Sequence, residues 1–226
     1  MMATLWAILA STIRLAVPYT LAGLGGTYSE RAGVVNIGLE GQMLSGAFAA
    51  VAVTNLLGSA WLGLLAAIAV GMGLGFIHGV VCITCKADQI VSGLAIIIFS
   101  SGITVFCAWL LFDQTQIKAV ATLKVPLLHD IDFFKAFFSQ IPPLVFVTVL
   151  IVLGSHVLLF KTVIGLRLRS VGEYPKAADT LGVNVYRMRY LAVVISGGLA
   201  GMGGAYLSLE HAHYFVKGIS AGRGFI

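Results

Sequence analysis

Charge is what this sequence most conspicuously lacks. Of 226 residues, 14 are Lys or Arg and 9 are Asp or Glu, 10% in all, where a soluble domain carries about a quarter. With 59% hydrophobic residues and a mean hydropathy of +0.99, the chain cannot cover itself in water, and its solvent is the bilayer. Cysteine is also scarce, three in all. Cys82 and Cys85 have C-x-x-C spacing, but no second pair and no suitably spaced His accompany them. They read as small packing residues rather than a zinc or redox site. The net charge of +5 is small for a nucleic-acid binder and fits basic loops beside a membrane. Arg14 lies inside the first apolar run rather than before it, unlike the start of a cleavable signal.

A phosphate loop is missing too. GQMLSGAF, residues 41–48, has two glycines in phosphate-loop spacing, but Ala47 and Phe48 stand where Lys and Ser/Thr belong. Charge neutralisation and the metal ligand are both lost. Driven work therefore needs energy from a partner. A hydrolytic pair is weakly signalled: Ser45, Ser92, Ser101 and Ser196 precede Gly, and His78, His211 and His213 are available. None of the serines fits G-x-S-G, and Ser-Gly pairs are ordinary in packed membrane helices. Packing is the preferred reading. An intramembrane Ser/His hydrolase and a stand-alone secondary transporter are the competing function classes.

What is present is a series of long apolar runs. No charged residue falls between Glu40 and Lys86, enough for two crossings of about 20 residues, divided by Thr54, Asn55, Gly58 and Ser59. Residues 89–112, 136–160 and 190–209 add three charge-free runs, and a weaker one near 5–28 contains Arg14. The expectation is an all-α polytopic transmembrane bundle of about six spans, one domain over 1–226. The segment 161–189 holds Lys161, Arg167, Arg169, Lys176, Arg187 and Arg189 against Glu173 and Asp179, which assigns it to the cytoplasm. Counting back puts Lys86–Asp88 and Glu30–Arg31 inside, with 113–135 and the N-terminus outside.

Twenty-seven glycines are many for helices. Gly63, Ala67, Gly71, Gly75 and Gly79 recur every four residues; Gly197 and Gly201, with the offset pair Ala200–Gly204, do the same near the end. Such faces promote close helix crossings.

Two polar segments stand out. In SERAGVVNIGLEGQM, residues 29–43, Glu40 lies near Asn36 and Gln42 at the entry to a span. A carboxylate there should face protein or water, and Gly33, Gly38 and Gly41 allow the backbone to break. A pathway-lining element and a helix terminus with Glu40 as a cap remain equal alternatives. In VGEYPKAADTLGVN, residues 171–184, Gly172 ends what precedes, Pro175 suits a first turn and Gly182 the position after the last. Residues 175–181 then form a helix of about 10 Å, with Ala177, Ala178 and Leu181 as a small apolar face. Too short to span and too polar for lipid, it is shaped to press into another protein's groove.

These segments, with KADQIVSGLA, the block GLRLRSVGEYPKAADTLGVNVYRMRYLAVVISGGLAGMGGAYLSL and the terminal AGRGFI, resemble the permease subunit of a bacterial ABC importer. The similarity is to the simple-sugar and nucleoside branch, related to ribose and branched-chain amino acid permeases. It implies that 165–189 is a cytoplasmic coupling loop, with Gly172, Glu173, Pro175, Ala177, Ala178, Leu181 and Gly182 docking on a separate ATPase subunit. ATP and Mg would sit on that ATPase, with no cofactor on this chain. It further implies a second permease subunit, an extracellular solute-binding lipoprotein, a small polar solute and the bacterial inner membrane. Asn36, Glu40, Gln42, Ser45, Asp88 and Gln89 become candidate pathway or packing residues. Members of the family continue past AGRGFI, so an incomplete domain is expected.

Overall fold

The computed structural model describes residues 2–114, 116–119, 121, 123 and 142–225. Most of the anticipated outer segment 113–135 and the start of the 136–160 run lie outside these. Helix α1 spans Met2–Arg31 and α2 Leu39–Leu57, separated by a non-helical connector, residues 32–38. Helix α3, Ala60–Gly79, runs into a π-helical turn, Val80–Thr84. Helix α4, Gln89–Phe112, is N-capped by Asp88, whose Oδ1 accepts from the amides of Ile90 and Val91 at 2.9 Å each, satisfying two otherwise orphaned donors. Helix α5 is Pro143–Lys161 and α6 Val163–Glu173. The short α7 is Pro175–Thr180, and α8, Val185–Ala205, ends in a second π turn, Tyr206–His211.

Among the described residues, five helical stretches are long and apolar enough to cross a membrane: Ile8–Arg31, Ala60–Thr84, Gln89–Phe112, Pro143–Lys161 and Val185–His211. The sixth anticipated span, α2, has the length, 19 residues, but carries Glu40 and Gln42 in its first turns. Fourteen of its residues are buried, so protein rather than lipid surrounds most of it. Helices α3, α4 and α8 pack around it, and among the described residues the α3–α8 contact is the most extensive.

Small residues make these approaches possible. A Cβ added at Gly71 would lie 2.2 Å from the Gly197 carbonyl oxygen, and one at Gly201 would lie 2.3 Å from that of Ala67. The two anticipated glycine faces therefore meet each other. The offset Gly204 faces α2 instead, where a Cβ would come within 2.0 Å of the Met43 carbonyl. With no hydrophobic force between helices in lipid, this backbone proximity is what holds them.

On the far side from the basic segment, strand β1, Gln116–Lys118, pairs antiparallel with β2, Tyr214–Val216, with Ile117 opposite Phe215. The Phe215 ring meets Phe48 of α2 edge-on at 5.3 Å. Asn55, in the last turn of α2, donates to the Lys118 carbonyl at 2.8 Å.

Gly71 and Gly73 make a paired test. Gly71→Ala is expected to lower stability by roughly 1–3 kcal/mol through overpacking. Gly73→Ala, where nothing lies within 4 Å of the added carbon, should be neutral or slightly stabilising. Thermal unfolding in detergent reads both; equal effects would refute the assigned crossing.

Candidate functional site

The connector 32–38 is held by every helix around it. Its Val35 amide donates to Gln89 Oε1 at 2.7 Å, which fixes the start of α4. The Val35 carbonyl lies 3.1 Å from His78 Nε2 of α3, and Ser92 Oγ lies 2.9 Å from His78 Nδ1. A carbonyl can only accept, so Nε2 carries the proton and the Ser92 hydroxyl donates to Nδ1. Asn36 Nδ2 donates to Gln42 Oε1 and to Ser196 Oγ of α8, both at 3.0 Å, and Gln42 Nε2 returns a bond of 3.3 Å to Asn36 Oδ1. Arg189 Nε reaches the Ala32 carbonyl at 3.3 Å. Non-helical backbone inside a bundle needs this kind of internal satisfaction.

The Ser/His pairing singled out in the sequence as a hydrolytic possibility is thus real as a contact. His78 is fully buried and Ser92 nearly so, and the pair ties the connector to α3 and α4.

Glu40 stands in the first turn of α2 and is engaged in a way that neither reading of the sequence anticipated. It is 8% exposed, and its carboxylate gathers a loop from the far end of the chain. Ser220 Oγ donates to Oε1 at 2.6 Å, the Gly222 amide to Oε1 at 2.9 Å and the Gly224 amide to Oε2 at 2.7 Å. A Cβ at Gly224 would lie 2.4 Å from Glu40 Cα, so only glycine fits that approach. The loop leaves β2 beside Phe48 and reaches Glu40 eight residues earlier on α2, a descent of about 12 Å. Residues 217–225 make it by successive turns, in which Ile219, Ala221, Arg223 and Phe225 each donate to the carbonyl three residues back. It is a re-entrant segment folded against α2.

Between the connector and this loop lies a cavity of about 270 Å³, lined by Gly26, Glu30, Val35, Asn36, Ile37, Leu39, Gly224 and Phe225. Of the pathway candidates, Asn36 borders it. Gln42 is sealed behind Asn36, Asp88 spends its carboxylate on the α4 cap, and the Gln89 amide oxygen accepts from Val35. Ser45 is buried one turn after Gly41, and its Oγ has no hydrogen-bond partner among the described residues. The backbone breaks where the sequence allowed it, with Gly33 at φ +78° and Gly38 in the connector, whereas Gly41 lies within α2; Gly38 and Gly41 make room for Ile96 of α4. The C-x-x-C residues diverge, Cys82 buried and Cys85 exposed, and no metal-ligand cluster occurs among the described residues.

The basic segment holds the other group of candidate residues. Helix α7 ends with Gly182 at φ +78°, its amide bonded to the Asp179 carbonyl at 2.9 Å, and Val183 N to that of Ala178 at 3.0 Å. That is a Schellman stop, which favours glycine. Pro175 occupies the first helical turn. One expectation fails: Ala178 does not share an exposed face with Ala177 and Leu181. It is 3% exposed while Leu181 is 83% exposed, because the single turn packs back through Ala178. Nor does Gly172 terminate α6, which ends at Glu173. Gly172 is where α6 touches the connector: a Cβ there would lie 2.2 Å from the Arg31 carbonyl.

Removing the Glu40 carboxylate has a readable cost. Glu40→Ala leaves three buried donors unpaired, each costing about 1–3 kcal/mol. Hydrogen exchange at Gly222 and Gly224 should accelerate at least tenfold; Glu40→Gln, which keeps acceptor capacity on one oxygen, should fall between. Unaltered exchange in Glu40→Ala would remove the clamp.

Comparison with known proteins converges on one family. Residues 8–226 match the family described as branched-chain amino acid transport system / permease component. The chain is similar to the guanosine ABC transporter permease protein of Bacillus subtilis, 44% identical over 97% of this chain and 72% of that protein. It is similar also to the nucleoside ABC transporter permease protein of Lactococcus lactis subsp. cremoris, 38% identical over 99% and 74%. The putative glucose ABC transporter permease protein of Haloferax volcanii is 39% identical over 97% and 68%. No solved structure matches the chain. The hydrolase alternative gains no support from these relatives. With its helical membrane bundle and a match over nearly its whole length, this chain belongs to the branched-chain amino acid transport system permease family, as a membrane-embedded permease subunit of the ABC type.

Proposed function

We propose that this subunit moves a nucleoside or simple sugar inward across the plasma membrane, driven by a separate ATPase that docks on α7. The relatives' descriptions as guanosine, nucleoside and glucose permeases support the solute class. ATP and Mg belong to the ATPase in this reading, since the glycines of 41–48 lie within α2 and form no phosphate cradle. A second permease subunit would complete the pathway, and an extracellular binding protein would deliver the solute.

The observation that carries the proposal is the seating of the coupling segment. Leu181, just after α7, and Tyr174, just before it, are 83% and 63% exposed, on the face that bears the excess of basic residues. Behind it, Gly172 presses on Arg31 and Gly33, where the connector begins. Displacement of α7 would therefore bear on the connector, and through Asn36 and Glu40 on the cavity and the re-entrant loop. ATP drives such a cycle only if closure of the ATPase favours one arrangement of these elements over the other.

Leu181→Asp is expected to reduce co-purification of the ATPase at least tenfold while the chain still inserts in the membrane. Ala177→Asp should act in the same direction. Ala178→Asp is a poor probe, because it buries a carboxylate within this chain and harms folding directly. Undiminished ATPase capture by Leu181→Asp would count decisively against docking at α7.

A further inference from the structure

Helix α6 joins α5 to α7; its last residues, Gly172 and Glu173, belong to the coupling segment, while its first two turns carry a surface to which the proposed function gives no role. The turn into it is abrupt. Thr162 is the single residue between the helices, and its Oγ1 accepts from the Gly165 amide at 3.2 Å. A Cβ at Gly165 would lie 2.1 Å from the Leu158 carbonyl, so α6 starts in backbone contact with the end of α5. Gly165, Leu168 and Val171 are its buried residues. At 3.6 residues per turn, Val163, Leu166 and Ser170 lie opposite them, with Arg167 on one flank and Arg169 on the other. Val163 and Leu166 are well exposed, at 63% and 59%.

Two further observations say what covers this strip. The exposed apolar side of α5, through Leu150, Leu153, Val157 and Phe160, leads directly into Val163. The strip thus continues a lipid-facing surface to its edge. At that edge the Arg169 guanidinium lies 5.1 Å above the Phe160 ring, and its Nε is buried with no hydrogen-bond partner among the described residues. Lys161 and Arg167 are exposed beside it. An apolar strip flanked by cations at the hydrocarbon boundary is complementary to an anionic headgroup above acyl chains. We propose that α6 is an interfacial helix that binds an anionic phospholipid, with Val163 and Leu166 against the acyl chain and Lys161, Arg167 and Arg169 around the phosphate. This site requires only that the chain be membrane-embedded and stands apart from the identity of the solute.

The test uses the full chain, delipidated in detergent and titrated with mixed micelles of phosphatidylglycerol or phosphatidylcholine, with bound lipid counted by native mass spectrometry. The wild type should prefer phosphatidylglycerol by about tenfold or more. R167Q/R169Q should lose roughly fivefold for each cation removed, whereas R167K/R169K should retain most of the preference, which separates charge from misfolding. A control of equal net charge, K86Q/R187Q, should behave as wild type. Inorganic phosphate at millimolar concentration should not displace the lipid. Equal binding of the two lipids, equal loss in the control, or displacement by phosphate would each overturn the proposal, the last in favour of a small-anion site.

Discussion

Backbone inside a bilayer has nowhere to find hydrogen bonds except in protein. The organisation of this chain follows from that constraint because it places two non-helical segments, 32–38 and 217–225, beside α2. The first is satisfied by side chains from α3, α4 and α8 together with Gln42. The second combines its own successive turns with one carboxylate. Glu40 is stable at its depth because three donors converge on it, and those donors are stable because Glu40 is there. Neither is tolerable alone.

This mutual dependence requires α2 to be enclosed, and small side chains allow it. The backbone approaches at Gly71–Gly197 and Gly204–Met43 draw α3 and α8 together around α2, leaving only its far end open. The apolar exposure of the bundle falls on α3, α4 and α5, whose outward residues include Leu65, Ile98, Trp109 and Leu150. The result is a polar axis inside an apolar jacket. Gly172, three residues before α7, sits directly on the Arg31 carbonyl, so the segment that leads to α7 is in backbone contact with the end of α1.

Much of this could be read from residues in order along the chain. Charge-free runs delimit spans because one ionised side chain weighs heavily against hydrocarbon, and the small residues at 63, 67, 71 and 75 reveal a face because helical periodicity aligns them. Pro175 and Gly182 bracketed α7 correctly, since fixed φ and left-handed φ are local demands. The direction of Ala178 was not legible: six residues have no periodicity to reveal which side is buried, and the bundle beneath decides it. Glu40 was visible as an anomaly, but its partners are not, because two of them are backbone amides some 180 residues away. Their one trace is the alternation of small residues in Ser220, Gly222 and Gly224. The polarity of α2 was equally on view, yet a run without charge after Glu40 looks like any other span until its neighbours are known.

The enclosure of α2 also bears on how the chain is made. Hydrocarbon would receive this helix poorly, for its first turn holds a carboxylate whose donors, Ser220, Gly222 and Gly224, come at the far end of the chain, and the Asn36 that pairs with Gln42 itself takes a second partner in Ser196. While the ribosome is still translating α3, those partners do not exist. Helix α2 must then wait at the translocon or lean on α1 until α8 and the re-entrant loop arrive, which makes its biogenesis a late and cooperative event despite its early place in the polypeptide.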